Sequence, residues 1–211
     1  MLVQLAQGLL VSVEIFVLTL VFSLPLGLII AFARMTTNKL ISCIAGIYIS
    51  IMRGTPLMLQ LFVVYFAPFY VFGLKISPSY RFTAVIIGFS LNYAAYFAEI
   101  YRGGIMSMEK GQYEAATVLG YSTNQTFFKI IFPQVVKRIL PSVTNEVITL
   151  VKDTSLAFVI AVAEMFTIAK QIASAQASIF PLMVAGIYYY IFNLLVAFMM
   201  ERFEKKLSYY Q

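Results

Sequence analysis

The sequence predicts an all-α membrane protein: five transmembrane helices, an interfacial helix and a cytoplasmic helical hairpin, in a single transmembrane domain over residues 1–211. Three observations predict it. Hydrophobic residues make up 61% of the chain and charged ones 11%, with a mean hydropathy of +0.88, which is too apolar for a soluble domain of 211 residues. Apolar runs long enough to cross a bilayer recur between short polar turns. Lys and Arg gather in alternate turns, the pattern left when basic residues are held on one side of a membrane.

Leu9 to Phe32 is broken only by Glu14 and gives about 36 Å of helix, so the first span covers about residues 9–32. Arg34 and Lys39 bound a polar turn. The run from Leu40 to Met52 is too short to cross and reads as the interfacial helix. Arg53 ends it. The second span, about 54–74, is entered through Thr55-Pro56, where proline suits a first helical turn. Lys75 to Arg81 makes an outer loop, and a third span over about 82–101 carries Asn92 at mid-depth and Glu99 near its end. One helical turn separates Glu99 from Arg102, which predicts a local ion pair. A fourth span over about 139–166 holds Asn145-Glu146 and, near its centre, Lys152-Asp153. Lys170 closes a short outer connection, and the fifth span, about 180–200, ends in Glu201-Arg202 and a basic tail.

The polar stretch between the third and fourth spans, about 102–138, contains the hairpin. Gly120 suits the left-handed residue that stops a helix, and Ser122 with Gln125 forms a capping box that starts the next. Ala115 and Ala116 allow another backbone close. Leu119, Phe127, Phe128 and Ile130 supply more apolar surface than a connection needs, so the hairpin reads as a docking knob. Placing it inside the cell puts Arg34, Lys39, Arg53, Arg102, Lys110, Lys129, Lys137, Arg138, Arg202, Lys205 and Lys206 in the cytoplasm. Only Lys75, Arg81 and Lys170 then fall outside, so the N-terminus is expected outside and the C-terminus in the cytoplasm.

Several function classes are excluded. The net charge of +6 is explained by membrane orientation, so nucleic acid is not an expected partner. The lone cysteine, Cys43, cannot form an intrachain disulfide, and with no histidine a transition-metal site is not expected. No charge precedes the first apolar run, which is too long for a signal-peptide core, so no cleavable signal is expected. No Gly-rich loop ending in Gly-Lys-Ser/Thr occurs, so the chain lacks the usual phosphate cradle for ATP.

Glu114-Ala115-Ala116, Gly120 and Ile130-Ile131-Phe132-Pro133 stand at the spacing of the signature loop of permease subunits of binding-protein-dependent ABC importers, with Phe132 where leucine is usual. Arg53-Gly54-Thr55-Pro56, Ala98-Glu99-Ile100-Tyr101-Arg102-Gly103-Gly104-Ile105, Gly111-Gln112 and Lys152-Asp153-Thr154-Ser155-Leu156 resemble the polar amino acid branch of that family, in order, over roughly Arg53 to Met165. The resemblance implies a type I ABC importer-like fold in a prokaryotic cytoplasmic (inner) membrane. It implies that a cytoplasmic ATP-binding subunit dimer, which holds the ATP and Mg, receives the coupling-helix hairpin through Glu114, Ala115, Ala116 and Gly120. It also implies an extracytoplasmic amino-acid-binding protein. No cofactor is expected in this chain and no enzymatic activity of its own.

Five spans are few for enclosing a path, so a second permease copy, in a homodimer, is expected beside lipid. Ionisable groups at bilayer depth cost at least ~2.5 kcal/mol and are functional candidates by default. The substrate-binding candidates are Glu14, Asn92, Asp153, Thr154 and Ser155. Each has a second reading: Glu14 as an interfacial carboxylate, Asn92 as an interhelical hydrogen bond, Asp153 as the internal partner of Lys152. Tyr93, Tyr96, Met58 and the Tyr188-Tyr189-Tyr190 run read as packing or belt residues. Because Glu14, Glu146 and Asp153 outnumber Lys152 within the spans, the expected cargo is a basic amino acid such as arginine, lysine or histidine. Glutamine stays open. An ion-coupled secondary carrier is the alternative class, and it would predict inverted repeats that the sequence does not show. An intramembrane enzyme lacks a placed nucleophile or base.

Overall fold

The computed structural model describes residues 1–207. Nine α-helices are described: α1 Leu2–Met35, α2 Lys39–Gly54, α3 Leu57–Phe72, α4 Tyr80–Met106, α5 Lys110–Val118, α6 Thr123–Thr126, α7 Phe132–Asp153, α8 Met165–Gln176 and α9 Phe180–Leu207. A π-helical turn, Phe127–Ile131, joins α6 to α7, and a 3₁₀ segment, Thr154–Ile160, follows α7.

Side-chain size sets the central contact. α1 presents Thr19, Ser23, Gly27 and Ala31 every fourth residue, and α4 answers with Ser90, Ala94 and Ala98, all buried. Such small-residue stripes let two backbones approach closely, the usual means of packing in lipid, where burial of apolar surface gives little drive. A Cβ on Gly27 would stand 2.8 Å from Phe97 Cβ and 3.0 Å from the Ala94 carbonyl, so nothing larger than glycine fits without shifting α4. α1 packs on α4 more extensively than any other pair does. Around them a core of Ile15, Phe16, Leu61, Phe89, Tyr93, Phe97, Val147 and Leu150 joins α1, α3, α4 and α7. α9 lies outermost: it packs on α7 and α8 and leaves Ile187, Leu194, Leu195 and Phe198 exposed, as a surface facing lipid would.

Among the described residues α1, α4 and α9 are each long and apolar enough to cross a membrane, and five spans are reached only by counting two bent pairs. The first pair stands where the interfacial helix and the second span were expected: α2 and α3 are separate helices that meet at 112° across Thr55-Pro56, and α3 begins at Leu57. Proline ends α2 because the residue before it avoids helical geometry. The second pair corrects the continuous fourth span. α7 starts within the polar stretch at Phe132 and stops at Asp153, the 3₁₀ segment ends at left-handed Ala161, and α8 leaves at 58°. Lys170, expected in an outer loop, is inside α8 with its ammonium 5.3 Å from the Phe158 ring centre.

A broken helix inside lipid leaves backbone groups that must find partners. At the first break Gln60 donates to the carbonyls of Met52 (2.9 Å) and Thr55 (3.1 Å), and Thr55 Oγ1 donates to the Ile51 carbonyl (2.8 Å). Asn92 reaches across from α4 to the Met52 carbonyl (3.0 Å) and to Gln60 Oε1 (2.9 Å). At the second break Glu164 caps α8.

Candidate functional site

Two polar constructions stand out against the apolar body, one in the hairpin and one where α4 meets α7. In the hairpin, α5 ends on Gly120 in the left-handed region (φ 79°), with the amide of Gly120 on the Thr117 carbonyl and that of Tyr121 on the Ala116 carbonyl, both at 3.0 Å. The capping box is present in both directions: Gln125 N donates to Ser122 Oγ (3.3 Å) and Ser122 N to Gln125 Oε1 (3.0 Å). α6 does not finish as a separate helix; it runs through the π turn into α7, so the second arm is continuous with α7. Gln112 and Gln134 exchange reciprocal amide hydrogen bonds (3.1 and 2.8 Å), and Arg138 donates to the Ser107 carbonyl (2.7 Å). These bonds tie α5 and the turn before it to α7.

Of the four residues expected to dock, Glu114, Ala115 and Gly120 are exposed while Ala116 is buried and packs within the hairpin. The tip adds one residue that the sequence reading did not single out, Val118, which is 87% exposed beside Leu119 at 74%. Phe128, in the π turn of the second arm, is 64% exposed. Apolar side chains this exposed at the tip of a helical hairpin make it a candidate interaction surface.

The second construction centres on Asp153, the last residue of α7. Its Oδ2 accepts a hydrogen bond from the hydroxyl of Tyr93 at 2.7 Å. Tyr93 is buried on α4, so the carboxylate is fixed in place by a side chain first read as packing. Lys152 is exposed and makes no ion pair with Asp153 among the described residues. Thr154 is fully buried and donates to the Val151 carbonyl (2.8 Å), whereas Ser155 donates to the Lys152 carbonyl (2.8 Å) and stays partly exposed with its acceptor lone pairs open. Asn92 is 5% exposed and both its donor contacts belong to the strut at the α2–α3 break.

Glu14 is elsewhere. It lies on the outward face of α1 with Leu10, Val17 and Val21, opposite the face that packs on α4, and it makes no hydrogen bond or ion pair among the described residues. One chain alone does not bring it to Asp153. Glu99 and Arg102 form the expected pair, bidentate at 3.0 and 2.8 Å.

A third polar knot was missed from the sequence. Glu164, fully buried, accepts from the amides of Phe166 and Thr167 (2.7 Å each), from Thr167 Oγ1 (2.8 Å) and from the Tyr189 hydroxyl (2.9 Å). All its strong acceptor directions are filled. That saturation marks a structural carboxylate joining α8 to α9 rather than one waiting for a ligand.

Residues 23–209 match the family described as the inner membrane component of binding-protein-dependent transport systems. The chain belongs to that family. It is 37% identical over 203 residues to a putative glutamine transport system permease protein of Rickettsia felis, covering 95% of this chain and 91% of the relative. It is 36% identical over 203 residues to the arginine transport system permease protein of Bacillus subtilis, covering 96% and 91%. The fold superimposes with a TM-score of 0.86, at 32% identity, on a chain from the crystal structure of an amino acid ABC transporter with histidines, covering 96% of this chain and 94% of that one. The chain is therefore the permease subunit of an ABC importer, a multi-pass membrane component that does not itself hydrolyse ATP; a separate ATPase subunit does. An ion-coupled carrier is no longer a competing class.

Proposed function

We propose that this permease forms the translocation path for a polar amino acid, with a basic amino acid such as arginine, lysine or histidine as the cargo. The observation that carries the basic assignment is Asp153: a carboxylate at the end of a broken helix, held by Tyr93 and without an ion-pair partner among the described residues. A fixed, partly dehydrated carboxylate discriminates by charge, because leaving it unpaired beside a neutral solute is costly. Ser155 supplies a hydroxyl acceptor beside it, and Thr154 shapes the turn that presents both. Glu14 joins the site only from a second copy of the chain, which is why a homodimer is part of the reading.

In the same reading the cytoplasmic ATP-binding subunit dimer holds ATP and Mg and receives the hairpin. An extracytoplasmic amino-acid-binding protein delivers the cargo. The hairpin end faces the cytoplasm with the C-terminus, and the N-terminus is outside. Closure of the ATPase dimer pulls on α5 and, through the unbroken second arm, on α7 and Asp153.

The test is ATPase activity of the purified complex with its ATP-binding partner and cognate binding protein, against each of the twenty amino acids. Stimulation by basic amino acids that falls in Glu14→Gln and Asp153→Asn supports the assignment; unaltered arginine stimulation in both variants overturns it. A glutamine importer is the second reading, favoured by the likeness to the Rickettsia permease, and stimulation by glutamine alone establishes it.

A further inference from the structure

Arg53 closes the last turn of α2, at the 112° break, and its charge is not matched by a partner of its own. The nearest carboxylate oxygen, Glu99 Oε2, is 3.9 Å away, beyond hydrogen-bond distance, and the Glu99 carboxylate is already held on both oxygens by Arg102. Arg53 makes no hydrogen bond among the described residues, and its side chain is 44% exposed. Helix capping does not explain it. The Ile51 and Met52 carbonyls in the last turn of α2 are taken by Thr55, Gln60 and Asn92, not by Arg53.

What surrounds Arg53 points towards Asp153. The guanidinium carbon lies 5.3 Å from the ring centre of Tyr96, and that ring is 6.3 Å from the ring of Tyr93, whose hydroxyl holds Asp153. Two tyrosines one turn apart on α4 therefore lead from an underpaired cation to a fixed carboxylate. A cation and a carboxylate at opposite ends of an aromatic wall match a molecule with the reverse order of charges.

We propose that Arg53 is a substrate-recognition residue whose guanidinium takes the α-carboxylate of the amino acid whose cationic group meets Asp153. This rests on the assignment of Asp153 under Proposed function. Arginine presents two parallel N–H groups to a carboxylate, a geometry lysine lacks. The stacked face on Tyr96 leaves the guanidinium edge open for it. The site then selects α-amino acids over amines that carry the same cationic groups but no carboxylate.

The experiment measures equilibrium binding of radiolabelled arginine and of agmatine, its decarboxylated amine, to the purified permease–ATPase complex without binding protein. Wild type is expected to bind arginine about tenfold more tightly than agmatine, the worth of a charge-assisted pair. Arg53→Gln is expected to bring arginine down to the agmatine level and leave agmatine where it was. Arg53→Lys is expected to keep part of the preference and serves as the readout if the glutamine variant does not assemble. Equal weakening of both ligands, or no loss of preference, overturns the proposal. If wild type binds glutamine and not arginine, the Asp153 assignment fails, and the same comparison with glutamine and 4-aminobutanamide decides Arg53 by itself. Absence of binding by any amino acid overturns both.

Discussion

Tyr93 and Asp153 meet across sixty positions of sequence through one hydrogen bond of 2.7 Å, and much of the candidate site depends on it. Removing the hydroxyl in Tyr93→Phe frees the carboxylate to change rotamer and leaves it short of a donor, a loss of about 1–2 kcal/mol. The expected result is a 5- to 30-fold weaker response of ATPase activity to substrate with the ATP-binding subunit still bound. An unchanged half-saturation concentration would show that Tyr93 does not set the site. Glu164 behaves differently, because its acceptor directions are all filled from inside the fold. In Glu164→Gln one acceptor oxygen becomes a donor facing other donors. Thermal unfolding in detergent is expected to move down by an amount worth about 1–3 kcal/mol, with substrate affinity in the surviving protein unaltered. Neither tyrosine partnership was legible in the sequence. Tyr93 and Tyr189 sit in helices where aromatic residues are ordinary packing, and only the folded chain shows what their hydroxyls reach.

At the scale of elements, short-range signals were read correctly and long-range ones were not. Gly120, the Ser122–Gln125 box and the Glu99–Arg102 pair all act within four residues, where chain geometry alone decides the outcome. The break after Asp153 escaped notice because Thr154 to Ile160 is as apolar as a helix interior, and its stop is an alanine, Ala161, at φ 57° with no glycine or proline nearby. The N-cap of α8 was hidden too, since a glutamate does the work that Ser, Thr, Asp or Asn usually does. The start of α7 was placed too late because its first turns mix Val135 and Ile139, buried against Gly104 of α4, with the polar Gln134, Lys137 and Arg138. These elements carry their own prediction. Ser122→Ala removes one half of the capping box, costing about 1 kcal/mol locally. It should weaken co-purification of the ATP-binding subunit while leaving amino acid binding to the permease intact. Loss of both together would mean that the hairpin and the site are not separable.

The whole molecule is a helical body with an apolar girdle and one protruding knob, and its assembly can be tested at that scale. Val118→Asp with Leu119→Asp changes only exposed side chains at the tip, so helix content by circular dichroism should stay as it is and the complex with the ATPase should be lost on size-exclusion chromatography. A complex that survives would move the docking surface elsewhere. Orientation has a built-in reporter, since Cys43 is the lone cysteine and is exposed. A membrane-impermeant maleimide should label inside-out vesicles and spare right-side-out ones; the reverse pattern would invert the topology.

The strut that joins Gln60 to Asn92 has a consequence for how sequences of this kind can drift. Both amides donate to the Met52 carbonyl and Asn92 also donates to Gln60, so losing Asn92 leaves the buried Gln60 Oε1 without its donor and losing Gln60 leaves the Thr55 carbonyl without its side-chain donor. Across a large set of related chains, positions 60 and 92 should therefore vary as a couple or hardly at all, and a library that randomises one of them should recover function chiefly when the other is allowed to change with it.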